Sequence, residues 1–454
     1  MAPRKVDPRG STSGAAYYDD GQARIDFEDA LTGLRSLAPS SVHAAVTSPP
    51  YFSMRSYLAP GSPDKSKELG SEESPDRYIE NLREVLAEMR RVVREDGTLW
   101  LNIGDGYYSG SPSESPEGWH LKPKDLIGIP WEAAKAARAE GWYVRNAGIW
   151  RKSNSLPESV GDRLTVSYEY LFLLANSARY FFDLEPLRVP HLSAPQRRHA
   201  SAGGYTGTYT PSGASEGHTA PAAASGECLS DGESPGRPSH RLSGRHLRDE
   251  PGIDGHPGGR APRDVWSVPT YPSVWPSGIE PHYAVMPRAI AAPCIQASTS
   301  EGGVCPVCAT PYRRVVSRER VPMRAERSRE ADSLDTAHGR DGRSGKRYLL
   351  HTRSRGFEPG CNCDEREEGT QPIPATVLDP FAGAATTALV ARELGRYFRG
   401  FELDVGVLPL VERRLSQQAL MTVAGISTRS PEERIGGDHS AASSELDLEH
   451  PSLF

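Results

Sequence analysis

The sequence is short of most features that assign a protein to a class at first reading. Cysteine occurs only 6 times in 454 residues, too thinly for a disulfide scaffold. Long apolar runs are missing: the best, Tyr168 to Ala175, falls far below the roughly 20 residues that a membrane-spanning helix needs. Lysine is scarce, at 8, so the basic residues are mostly arginine, and acidic residues outnumber basic ones by 59 to 53. The net charge of −6 excludes a uniformly basic, histone-like binder and leaves any nucleic-acid contact to local patches. Met1 to Gly10 is charged and contains proline, with no apolar stretch behind it. No secretion signal is expected there, and the chain reads as intracellular and cytoplasmic, with no membrane partner.

Glycine and proline, by contrast, supply 83 of the 454 residues, above the roughly 12% of average usage, and predict long loops or inserts. Outside those inserts the text alternates between strands and helices. Phe27, Leu31, Leu34 and Leu37 recur at helical spacing, and Val42 to Val46 is a short apolar strand. Tyr78, Leu82, Val85, Leu86, Met89 and Val93 mark a second helix that closes near Asp96-Gly97, before a strand from Thr98 to Ile103. A helix over about Asp125 to Ala139 leads to strands at Tyr143 to Trp150 and Tyr168 to Ala175. Order resumes at Asp264-Val265-Trp266 and a helical stretch from Met286 to Ile295. Strands at Thr376 to Leu378 and Tyr397 to Phe401 then flank a helix over Ala388 to Leu394. Such alternation with short connections predicts an α/β fold with helices on both faces of a sheet.

Two stretches break the pattern. From residue 192 to 262, Gly, Pro and Ser supply 30 of 71 residues, and Ile, Leu, Val and Met only 5, too little apolar surface to offset an ordering entropy of roughly 1–2 kcal/mol per residue. From about 299 to 372 lies a second insert holding four of the cysteines; between Arg313 and Arg355 it carries 13 basic and 6 acidic residues, a local charge of +7. That charge suits phosphate contact, or is a solvated, self-repelling loop.

Two places carry candidate chemistry. Thr47-Ser48-Pro49-Pro50-Tyr51 follows directly on an apolar strand, where ligands sit in open α/β sheets. A Ser hydroxyl beside a Pro carbonyl makes a polar rim suited to the N–H groups of an exocyclic amine, and the adjacent Tyr offers a face for an extruded base. Alone, these residues also read as a proline-stiffened loop. Leu378-Asp379-Pro380-Phe381-Ala382-Gly383-Ala384-Ala385-Thr386-Thr387 joins a strand to a helix through small residues, as a Rossmann-type turn does. Glu402 ends the next strand, placed to accept from ribose hydroxyls. An ordinary strand–turn–helix packed with small residues reads the same way.

Together these motifs resemble a DNA amino-methyltransferase of the β arrangement, in which the catalytic motif precedes the S-adenosylmethionine motif. Glu28-Asp29-Ala30-Leu31, Gly97 to Asp105, Trp150 to Asn154 and His282-Tyr283-Ala284-Val285-Met286-Pro287 extend the resemblance to about two thirds of the chain. It implies a Rossmann-like sheet with circularly permuted motif order, and methyl transfer from S-adenosylmethionine to an exocyclic amine of double-stranded DNA after base flipping. Ser48, Pro49, Pro50 and Tyr51 would then be catalytic. Asp379, Phe381, Gly383 and Glu402 would bind the cofactor, with Asp29, His282 and Pro287 beside them. The family has Gly where Ala385 stands, so a positive φ there would be strained. Ser in the first motif position goes mostly with cytosine N4 in the family, and Asp with adenine N6.

Composition and the resemblance together divide the chain into a tail (1–20), a catalytic-motif half (21–191), a flexible insert and target-recognition candidate (192–262) and a return to the core (263–298). A basic, Cys-containing insert (299–372), a cofactor-binding half (373–426) and an acidic tail (427–454) follow. Cys305-Pro306-Val307-Cys308 and Cys361-Asn362-Cys363 together supply four thiols, enough for a structural zinc, or are reduced structural thiols. A cognate restriction endonuclease is an expected partner. An adenine-N6 enzyme and a catalytically inactive DNA-binding relative are the competing readings. Methyltransferases acting on protein glutamine share a Pro-Pro motif, but the motif order opposes them.

Overall fold

The computed structural model describes residues 16–155, 157–189, 259–270, 285–322, 337–340, 347–363 and 370–423. His282, almost all of the 192–262 insert and the 427–454 tail lie outside the described residues. The chain divides into two units, one of residues 1–189, 261–317 and 353–454, the other of 190–260 and 318–352.

The first unit opens with β1 (Tyr17–Asp19), β2 (Ala23–Asp26), α1 (Ala30–Ser36) and β3 (Val42–Thr47). Next come α2 (Pro75–Val92), β4 (Val93–Ile103), α3 (Ile129–Ala139), β5 (Tyr143–Lys152), β6 (Tyr168–Ala175), β7 (Val265–Val268) and α4 (Arg288–Ser298). Strands β8 (Arg313–Pro322), β9 (Ala337–Arg340) and β10 (Arg347–Glu358) form a three-stranded sheet, in which β9 and the start of β10 belong to the second unit and pair antiparallel. The first unit closes with β11 (Thr376–Asp379), α5 (Thr386–Glu393), β12 (Tyr397–Phe401) and α6 (Leu408–Val423).

Its nine-stranded sheet runs β1-β2-β12-β11-β3-β4-β6-β5-β7. Strands β2, β12, β11, β3 and β4 are mutually parallel, and β6 runs antiparallel between β4 and β5. This is a Rossmann-like α/β sheet. Alternate strand residues feed two cores: Val377, Trp100, Leu171 and Leu173 pack with α4, α5 and α6, whereas Leu378, Leu99, Leu101, Phe172 and Leu174 pack with α1, α2 and α3. The period of two along each strand thus buries both faces.

Several boundaries differ from expectation for local reasons. Phe27 is buried ahead of α1, not within it, because Asp29 caps the helix by accepting from the Thr32 N–H at 2.9 Å. The third helix starts at Ile129, not Asp125, after Gly128 at φ 88° and with Pro130 in its first turn. Strand β4 begins at Val93 and absorbs Asp96-Gly97, which the sequence had closing the preceding helix.

Candidate active site

Parallel neighbours β3 and β11 end at the same edge of the sheet, with Ala44 beside Val377 and Ala45 beside Leu378. Their tips are tied together: the Thr47 hydroxyl donates to Asp379 Oδ1 at 2.6 Å, and the Thr387 hydroxyl to Oδ2 at 2.8 Å. The Phe381 N–H reaches Oδ1 at 3.1 Å, so Asp379 spends both oxygens holding the turn. Burial pushes its carboxyl up to about 7, against the pull of those three donors. On the β3 side, the Tyr78 hydroxyl of α2 donates to the Pro50 carbonyl at 2.9 Å and fixes the Pro-Pro turn.

A cavity of about 360 Å³ lies beyond these tips, within the size of small-molecule sites. Ser48, Pro50, Asp379, Phe381, Gly383, Glu402 and Asp29 all line it. Pro49 is buried next to the wall. Pro287 heads α4, and its neighbours Val285 and Met286, not Pro287 itself, line the cavity. Seven carboxylates border it (Asp29, Glu68, Glu72, Glu84, Asp379, Glu402 and Asp404) against one lysine, Lys67.

In the glycine turn, Gly383 has φ 49°, and its N–H donates to Glu402 Oε2 at 2.8 Å. The Asp404 N–H occupies the other oxygen at 2.9 Å, and burial raises the Glu402 carboxyl to about 7 against these bonds. Ala385 adopts φ 61°, ψ 33° as the residue preceding α5. A Cβ in this left-handed region costs roughly 1–2 kcal/mol. Arg414 of α6, half-buried, donates to the Ala384 carbonyl and, at 3.2 Å, to the Thr386 hydroxyl, bracing the turn.

Tyr51 directs its hydroxyl to Glu169 of β6. It donates to Glu169 Oε2 at 2.6 Å and receives the Ser48 hydroxyl at 3.2 Å. Asn102 Nδ2 and Lys152 Nζ reach the Glu169 carboxylate at 2.9 and 2.6 Å. Burial first, and the Glu169 charge second, push the Tyr51 phenol well above its usual range. A Cβ on Gly104 would stand 2.7 Å from the Tyr51 ring, so glycine is needed for that ring to lie where it does.

The sulfurs of Cys305, Cys308, Cys361 and Cys363 all lie within 4.8 Å of one another. Hydrogen bonding with the Thr310 hydroxyl draws the Cys308 thiol down to about 6. The Cys305–Cys308 knuckle is held to β3 and β4: Arg94 donates to the Cys308 carbonyl at 3.1 Å, and His43 Nε2 lies 3.0 Å from the Ala309 carbonyl. Because the Thr376 N–H donates to Nδ1 of the same ring, Nε2 carries the proton, and burial keeps the imidazole neutral by lowering it to about 4.

Sequence reasoning quoted Thr47, Thr387, Asn102 and Lys152 only as members of motifs, without a role, and missed Glu169 and Arg414. Glu169 left a signal, a lone acid inside the apolar strand Tyr168 to Ala175. Arg414 left none, since an arginine in an amphipathic helix is ordinary.

A family model for N6/N4 methyltransferases, described as DNA methylase, matches residues 42–305, more than half of the chain, and the chain belongs to that family. The Type II methyltransferase M.Cfr9I of Citrobacter freundii is 43% identical over 177 residues, 35% of this chain and 56% of that protein. M.SfiI of Streptomyces fimbriatus is 38% identical over 213 residues, covering 45% of this chain and 48% of its own. The chain spans about half the length of these curated relatives. Among solved structures, PvuII DNA methyltransferase (cytosine-N4-specific) aligns with a TM-score of 0.46 at 12% identity, over 89% of this chain and 94% of that one.

Proposed function

We propose that the protein is a DNA methyltransferase that moves a methyl group from S-adenosylmethionine to the exocyclic N4 amine of cytosine in double-stranded DNA. One observation carries this reading: Ser48 and the Gly383–Glu402 pair line the same cavity. The wall also suits the cofactor, because five carboxylates besides Asp379 and Glu402, against one lysine, favour a cationic ligand and repel a pyrophosphate. Glu402 would take the ribose hydroxyls, and Phe381 with Met286 the apolar parts. The bound cofactor supplies a methyl group activated by positive sulfur.

The chain's own residues do the rest. An amine conjugated with its ring is a poor nucleophile. The Ser48 hydroxyl already donates to Tyr51, so its lone pairs are free to accept an amine N–H. With the Pro49 carbonyl as second acceptor, the amine nitrogen turns pyramidal and aims its lone pair at the methyl carbon, so that positioning supplies most of the rate. Tyr51 would present its ring to the flipped base. A neutral Ser48 favours cytosine. Adenine N6 on the same scaffold is the second reading.

The four clustered thiols suit a tetrahedral zinc, whose sulfurs would stand roughly 3.8 Å apart at a Zn–S distance of about 2.3 Å. Such a zinc would brace the knuckle against the base of β3. A cognate restriction endonuclease acting on the same DNA sequence completes this reading. Purified protein, DNA and a tritiated methyl donor, followed by nucleoside digestion, test it: labelled N4-methylcytosine is expected, and N6-methyladenine alone would establish the second reading.

A further inference from the structure

We infer that Glu169 is the terminus of a proton relay that starts at Ser48 and passes through Tyr51. The inference rests on the methyl-transfer reading above and adds where the displaced proton goes.

The residues come from three neighbouring strands and one turn. Ser48 and Tyr51 sit on the Pro-Pro turn after β3, Asn102 on β4, Lys152 on β5 and Glu169 on β6. Their hydrogen bonds run in one direction. Ser48 Oγ donates to Tyr51 Oη at 3.2 Å, and Tyr51 Oη donates to Glu169 Oε2 at 2.6 Å. Glu169 lies in a strand that is otherwise apolar, and its side chain is only 11% exposed. Asn102 Nδ2 donates to the same oxygen as Tyr51, and Lys152 Nζ pairs with the other at 2.6 Å. Burying an acid costs free energy unless it is paired, and this one is held by three donors at the inner end of a chain that opens at the cavity wall.

Methylation of an amine requires such an outlet. As the N–C bond forms, the C–S bond breaks and its electron pair stays on sulfur, leaving an N–H proton to be lost. Ser48 Oγ accepts that proton while its own passes to Tyr51 Oη, and the Tyr51 proton passes to Glu169 Oε2. Ser48 and Tyr51 end as they began, Glu169 ends as a neutral acid, and the positive charge lost at sulfur balances the negative charge lost at Glu169. Tyr51 conducts without ionising, which agrees with a phenol held well above its usual range. Glu169 therefore acts on the amine through Ser48 and Tyr51, as a positioning and relay group.

The test uses the full-length protein with Tyr51→Phe, which keeps the ring, and Glu169→Gln, which keeps the shape. Cofactor affinity, single-turnover methylation in H₂O and D₂O, and nucleoside digests are measured on the same preparations. The ¹³Cζ shift of Tyr51 in cofactor-free protein reports the Tyr51–Glu169 bond without any turnover. The expected result is unchanged cofactor affinity, a rate about 10-fold or more below wild type in each variant, and a double variant no slower than either single one. The slowing of wild type in D₂O should vanish in both variants, and Glu169→Gln should move the ¹³Cζ shift. Rates within threefold of wild type, or a solvent isotope effect kept by both variants, would overturn the relay alone. Wild-type protein that methylates no base would overturn the methyl-transfer reading and the relay with it. Should Glu169→Gln fail to bind cofactor, Tyr51→Phe by itself decides.

Discussion

Thr47 and Asp379, 332 positions apart in the chain, share a hydrogen bond of 2.6 Å between hydroxyl and carboxylate. The bond joins the tips of two adjacent parallel strands at the point where strand order reverses, and a Rossmann-like sheet opens its ligand crevice there. This junction holds Ser48 and the Gly383 turn at the lining of one cavity.

If Ser48 is the acceptor that orients the amine, as proposed, Ser48→Ala should lower single-turnover methylation by about 100-fold or more. Cofactor affinity should not change, since Glu402, Gly383 and Phe381 are untouched. Wild-type rates in this variant would show that Ser48 does not hold the amine.

Ala385→Gly should raise the melting temperature. The residue sits at φ 61°, where glycine relieves roughly 1 kcal/mol of strain, worth about 2–4 °C in a fold of this size. A lower melting temperature would mean that the buried methyl of Ala385 contributes more by packing than its backbone costs.

Asp379 and Glu402 both stand near 7 in the cofactor-free protein, raised by burial. A carboxyl raised above its unfolded value contributes stability that is complete below about 4 and lost as pH rises through about 7. The cofactor-free protein should therefore melt lower at pH 8 than at pH 5 by whatever these two groups contribute. A cationic cofactor and its ribose hydroxyls favour the ionised forms, so binding should tighten from pH 6 to pH 8 and release protons near pH 7. Calorimetry in buffers of different ionisation enthalpy checks the release; equal binding enthalpies would contradict it.

The thiol cluster should retain about one zinc per chain when the protein is purified without chelator. Cys308→Ser should lose the metal and lower the melting temperature, because the knuckle bonded to Arg94 and His43 would no longer be held closed. Less than about half an equivalent in the wild-type protein would leave the four thiols as reduced structural cysteines.

Much of this architecture was legible in the sequence because it is written locally. Tyr168 to Ala175 and Tyr397 to Phe401 are strands over the expected residues, since aromatic and aliphatic residues dominate both between polar turns. The Ser48 and Gly383 motifs could be placed at strand ends for the same reason. The junction between them was not legible. Thr47 and Thr387 look like ordinary strand and helix residues until the fold brings Asp379 between them. Glu169 and Lys152 likewise gain their meaning only from the pairing of β5 with β6 beside Tyr51. Periodicity reports which face a residue takes, and it cannot report which distant tip it will meet.

A crystal structure with sinefungin, a methyl-donor analogue carrying an amine in place of the methyl sulfonium, tests the shared cleft most directly. Its ribose hydroxyls are expected on Glu402 and its amine turned toward the Ser48 rim. A ligand bound elsewhere, with both Ser48 and Glu402 untouched, would contradict it.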